Sequence, residues 1–139
     1  MTLTEELAAL LAELGLGTYT PTSPAGDIYA PVLPDQPDAA IAVARYGGAD
    51  STGRDYDTPR VQIRVRGAAG DARPVEERAQ RVYDALHGLR RRLLPGGSWL
   101  VLCTARQAGP IYIGRDQNGR HEYVINLDCE IHRPGAHIP

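Results

Sequence analysis

Apolar residues recur along this chain with two different periods, and the switches between them outline its elements. Leu3, Leu7, Leu10, Leu11 and Leu14 stand three or four apart, the spacing that gathers side chains on one face of a helix. Thr2 with Glu5 three places later has the form of a capping box, and Gly15 closes the run. Prolines 21, 24, 31, 34 and 37 then surround a short apolar stretch from Asp27 to Leu33. That stretch reads as a strand at a sheet edge, because proline cannot donate to a central ladder. Ala39 to Tyr46 forms a second strand, halted by Gly47 and Gly48. Residues 47–59 carry one large apolar side chain, Tyr56, among Gly, Asp, Ser and Thr. A polar loop is expected there, and loops of that length usually carry function or lack order.

Val61, Ile63 and Val65 alternate with Gln62, Arg64 and Arg66, the period-two signature of a strand with one buried face. The polar half of the alternation gives this strand an edge-like look, with Gln62, Arg64 and Arg66 free to meet a neighbour. Pro74 suits a first helical turn, and Val75, Ala79, Val82, Leu86, Leu89 and Leu93 continue at steps of three and four. The pattern predicts a helix running to Pro95-Gly96-Gly97. Trp99 to Cys103 is an unbroken apolar run, as in a strand covered on both faces. Asn118-Gly119 signals a two-residue hairpin turn, which would set Arg115 opposite Glu122 and Gly114 opposite Tyr123. Tyr123, Ile125, Leu127, Cys129 and Ile131 then alternate with Val124, Asn126, Asp128, Glu130 and His132 in the longest clean strand.

The predicted order is α-β-β-β-α-β-β-β in one domain spanning 1–139, with a short tail over 134–139. Strands in runs with hairpin connections imply an α+β fold, with a largely antiparallel or mixed sheet and two helices packed on one face. A chain of 139 residues buries roughly 68% of its unfolded surface, enough for a core without staples. Net charge is −2, so nothing draws the whole molecule to nucleic acid or an anionic membrane. All fifteen basic residues are arginine. Cys103 and Cys129 lie in apolar strands and behave as small hydrophobes of a reduced protein. No apolar run reaches the roughly 18 residues of a membrane span, so a soluble, non-exported protein is expected.

Patterns that carry chemistry are tested by geometry. Gly15-Leu16-Gly17 follows a helix instead of a strand, and Thr20 occupies the third glycine's place of a dinucleotide fingerprint. Cys129 and His132 are three apart on a strand and point to opposite faces, which does not converge on a metal. Asp50, Asp55 and Asp57 lack the calcium-loop spacing, since Val61 stands where the last carboxylate belongs. His121 would face Asp116 across the hairpin, but no nucleophile adjoins them. No catalytic residue, metal site or cofactor is assigned. Arg90, Arg91 and Arg92 form the densest basic run, a helix end that could meet acidic groups of a neighbour or passing DNA.

Three segments carry a family resemblance: Val61 to Gly67, Val82 to Gly88, and Gly109 to Asp116 with Asn118 to Tyr123. They resemble the minor capsid or tail terminator proteins of long-tailed bacteriophages, over nearly the whole chain. The resemblance implies a structural virion protein without catalytic residues. It forms a ring, usually hexameric, at the head-proximal end of the tail tube, stops tube growth and allows head–tail joining. Its implied partners are other copies of itself, the tail tube protein, a head-completion or neck protein, and viral DNA passing through the channel. No membrane is among them, and assembly would occur in the host bacterial cytoplasm. Arg54, Asp55, Tyr56 and Asp57 are the candidate contacts to a neighbouring subunit or the tube, with Gln62, Arg64 and Arg66 beside them. A head-completion protein on the portal side, or a small cytosolic α+β enzyme or ligand-binding module, are the alternatives.

Overall fold

The computed structural model describes residues 1–23, 25–49 and 56–132. Helix α1 (Leu3–Glu13) begins with the expected capping box: Glu5 N–H donates to Thr2 Oγ1 at 3.3 Å, and Thr2 N–H to Glu5 Oε1 at 2.9 Å. Strand β1 (Ile28–Tyr29) stops before Pro31 and pairs in parallel with β2 (Ala40–Ala49). Strand β3 (Tyr56–Ala69) pairs antiparallel with β2, so both ends of the expected polar loop belong to strands. A bulge between Arg45 and Gly47 carries the ladder past the two glycines that were expected to halt it. Tyr56 and Asp57 therefore begin β3, opposite His132 and Ile131.

Helix α2 covers Arg73–Leu86, seven residues short of the sequence expectation. Gly88 takes φ +84°, a left-handed conformation that ends helices and costs glycine little. The helical spacing of Leu89 and Leu93 beyond it is a coincidence of period. Arg90–Leu93 form strand β4, with Leu93 64% exposed where a helix seam would have buried it. Strand β5 (Trp99–Ala105) buries Leu100 and Cys103 but leaves Trp99 exposed, so only one of its faces is fully covered. Strands β6 (Ile111–Arg115) and β7 (Arg120–His132) complete seven strands in a curled mixed sheet of order β1-β2-β3-β7-β5-β4, with β6 also on β7. The fold is α+β, with one strand more than the sequence pattern separates.

The β6–β7 turn differs from its expected register by one residue. Arg115 faces His121 and Gly114 faces Glu122. Asp116 is the cause: its Oδ1 accepts from Asn118 N–H and Arg120 N–H, each at 2.9 Å, and Gly119 N–H donates to Asp116 O at 3.0 Å. This lengthens the loop, leaving Gly119 alone in the left-handed region at φ +76°. His121 consequently hydrogen-bonds Tyr112 Oη and Gly70 O instead of facing Asp116.

One buried cluster unites Leu7, Leu10 and Leu11 of α1 and Val75, Ala79 and Val82 of α2 with the inward residues of the sheet. In β7, Ile125, Leu127, Cys129 and Ile131 are buried as their alternation predicts. The Cys103 and Cys129 thiols lie 3.8 Å apart in the core and are unoxidised.

Candidate functional site

Strand β3 is not an edge. It lies between β2 and β7, where both of its backbone ladders are occupied, so it cannot form a rim by strand pairing. Its polar residues divide into two kinds. Gln62 and Arg64 point to the sheet face away from the core, where they line an open groove of about 290 Å³ with Val32, Leu33, Ala42 and Ala44. Gln62 Nε2 donates to Asn126 Oδ1 at 3.0 Å, and Arg64 stands 3.6 Å from Glu122. Neither interaction encloses the side chain, and Arg64 stays 44% exposed.

Arg66, expected on the surface, is buried. Its Nε donates to Asp38 O at 2.9 Å, and its Nη2 to Pro37 O at 2.7 Å and Asp35 O at 3.2 Å. Alternation places it outward, but the proline-rich segment folds over that end of the sheet and supplies carbonyl acceptors. Burial, and next the charge of Arg120, lower its pKa below the ordinary arginine value. Arg120 closes the same anchor from β7. It ion-pairs with Asp116 at 2.8 Å and with Asp35 and Asp38 at 3.1 Å each, and also donates to Asp35 O. Burial pulls its pKa down, but the hydrogen bonds it donates to Asp116, Asp38 and Asp35 reverse this and leave it raised. Asp116 is lowered, first by the Arg120 backbone N–H. The sequence shows the components, Pro34-Asp35-Gln36-Pro37-Asp38 and two arginines on strands, but nothing in their spacing joins them.

Arg90, Arg91 and Arg92 lie on edge strand β4, not on a helix. Arg92 pairs with Glu13 at 3.3 Å, and Arg90 Nε donates to Gly88 O at 3.4 Å. The Arg91 side chain forms no hydrogen bond or ion pair among the described residues, and the residue holds φ +53°, the one positive value there outside glycine. Leu93 pairs across the ladder with Trp99, and both are exposed. Arg54 and Asp55 lie outside the described residues, and for Tyr56 and Asp57 only the backbone is described.

Glu6 is a second feature that periodicity does not disclose. It is 1% exposed, on the buried side of α1. Its carboxylate accepts Ser98 Oγ–H at 2.7 Å and Ser98 N–H at 3.1 Å. Gly96 passes so close that an added Cβ would sit 2.7 Å from the carboxyl group. This acid fastens the turn between β4 and β5 to the first helix and serves structure. Among the described residues, no group of three or more His, Cys, Asp or Glu side chains converges in a way that could hold a metal. Cys129 has its pKa raised well above the usual thiol value, first by its hydrogen bond with Cys103 and then by burial, so it is no nucleophile at neutral pH.

Among the described residues, the geometry offers exposed surfaces and buried ion-paired anchors. The family model for bacteriophage tail terminator proteins matches residues 10–133. No curated protein aligns significantly with the chain. The match takes in both helices but for the first turns of α1, and all seven strands. The family is one of structural phage tail proteins and not of enzymes, and this chain belongs to it.

Proposed function

We propose that this protein acts as a single domain over 1–139 and assembles into a ring, usually six copies in such proteins, at the head-proximal end of the tail tube. There it stops tube growth and presents a surface for joining the filled head. The observation that carries this reading is the family match over residues 10–133. Two features of the molecule agree with it: the exposed face holding Gln62 and Arg64, and the basic edge at Arg90 to Arg92 with its uncovered Leu93 and Trp99. A heterologous contact that closes by rotation produces a ring. The tail tube protein and a head-completion or neck protein are the expected partners in the virion, with viral DNA passing the channel. Arg54, Asp55, Tyr56 and Asp57, at the entry to β3, are proposed to touch a neighbouring subunit or the tube.

Electron microscopy of tail tubes polymerised with and without the purified protein tests the reading. Tubes capped at one end by a ring and limited in length are expected. Tubes that grow equally long and uncapped in its presence would refute a terminator role. Replacing residues 54–57 together with serine should weaken capping, and unchanged capping would remove that segment from the contact.

A further inference from the structure

Two exposed surfaces at opposite ends of α2 carry opposite charge, and each pairs its charge with uncovered apolar side chains. The helix has fourteen residues, so its ends are about 21 Å apart. At its start, Glu76 and Glu77 are exposed, and the exposed Arg73 beside them is ion-paired with Asp71 at 2.9 Å, which leaves the two glutamates as the excess charge. Tyr123 Oη donates to Glu76 at 3.2 Å, and Tyr112, 47% exposed, packs on Tyr123 with ring centroids 5.2 Å apart. At its far end the chain enters β4, where Arg90 and Arg91 are exposed beside Leu93 and Trp99. Arg91 is held there at φ +53°, a left-handed backbone conformation that residues with a side chain rarely adopt. Strain of this kind persists where surrounding structure and use require it.

We propose that these surfaces are the two halves of one head-to-tail contact between copies of this chain. In it, Arg90 and Arg91 of one copy meet Glu76 and Glu77 of the next, with Leu93 and Trp99 set against Tyr112. Charge complementarity selects a second copy as the occupant. Exposed leucine and tryptophan beside the arginines fit a protein surface better than a phosphate backbone, since arginine and aromatic side chains are what interface cores enrich. Because the two halves differ and lie apart, the contact propagates from copy to copy. It rests on the ring reading and supplies the surface that the ring would use.

The test is a charge swap read by sedimentation velocity and native mass spectrometry. Arg90→Glu with Arg91→Glu, and separately Glu76→Arg with Glu77→Arg, should each weaken self-association about a hundredfold while urea unfolding stays near wild type. Placing all four substitutions in one chain should restore association. Single swaps that assemble like wild type overturn this contact and leave the ring reading intact. A wild-type chain that stays monomeric at high concentration overturns this contact, whereas the ring reading fails only if tubes remain uncapped in its presence. If the arginine swap abolishes binding of a fluorescent DNA duplex and leaves self-association unchanged, the surface belongs to nucleic acid and the proposal is wrong.

Discussion

Removing the Glu6 carboxylate should destabilise the protein more than any surface change, and by an amount the local geometry sets. Glu6→Ala strips Ser98 of the acceptor for both its buried N–H and its hydroxyl. Leaving a buried donor unsatisfied costs about 1–3 kcal/mol, and the lost carboxylate stem adds a small cavity. Relief from burying a charge offsets part of this. A net loss of about 3 kcal/mol follows, equivalent to roughly 10 °C in Tm for a chain of this size. Glu6→Gln fits the same space. Its amide oxygen still accepts from Ser98 N–H, and its NH₂ donates to Ser98 Oγ, so about 1 kcal/mol is expected. Ser98→Ala deletes the shorter bond but keeps the N–H contact and should fall between them, at about 2 kcal/mol. Trp99, the one tryptophan, adjoins Ser98 and reports the transition by fluorescence. Urea unfolding followed by fluorescence and circular dichroism gives the three values. If Glu6→Gln proves as damaging as Glu6→Ala, charge and not hydrogen-bond satisfaction governs the site, and the reasoning fails.

Gly67→Ala would set a Cβ 2.6 Å from Val75 Cβ, where α2 presses on β3. A loss of about 2–3 kcal/mol by the same urea assay is expected, whereas a change under about 0.5 kcal/mol would show that the helix shifts freely. Asp116 titrates below its ordinary value in the folded protein, so its contribution is complete above the unfolded value near about 3.9 and is lost as pH falls through the lower folded one. Asp116→Asn should therefore flatten the decline of stability as pH falls below the unfolded value of about 3.9, and an acid limb as steep as wild type would refute that assignment. Cys103 and Cys129 should resist iodoacetamide in the native state and react only as fast as the protein unfolds. Labelling within minutes at pH 8, without loss of structure, would contradict their burial.

The sequence discloses most of the core and less of the surface, for definite physical reasons. Alternation placed Ile125 to Ile131 correctly because a half-buried strand has no other way to hide apolar groups. Leucine spacing and the capping box placed α1. Periodicity failed at Leu89 and Leu93, where a helical step continued by chance past Gly88, and the conformational freedom of one residue outweighed the pattern. The Asn118-Gly119 pair announced a hairpin, yet Asp116 chose the register through hydrogen bonds that composition does not rank. Arg66 was misplaced because alternation tells which side of a strand a residue faces and not what covers that side. The covering segment is proline-rich and irregular, so its approach to Arg66 and Arg120 has no periodic signature. Glu6 stands among residues that a helical wheel calls core, and its polarity makes sense only with Ser98, ninety-two positions away.

The shared anchor of Arg66 and Arg120 ties three parts of the chain that have little else in common. It joins the proline-bounded turn at Asp35 to Asp38, the tip of the β6–β7 hairpin through Asp116, and the two longest strands of the sheet. Irregular segments ordinarily open one at a time, each on its own small fluctuation. Here neither loop leaves without stripping the Arg120 guanidinium of partners it shares with the other, so the two open together or stay closed. Native-state hydrogen exchange should therefore find a single cooperative unit reaching across the sheet, and a protease that enters at one loop gains access to the other in the same event.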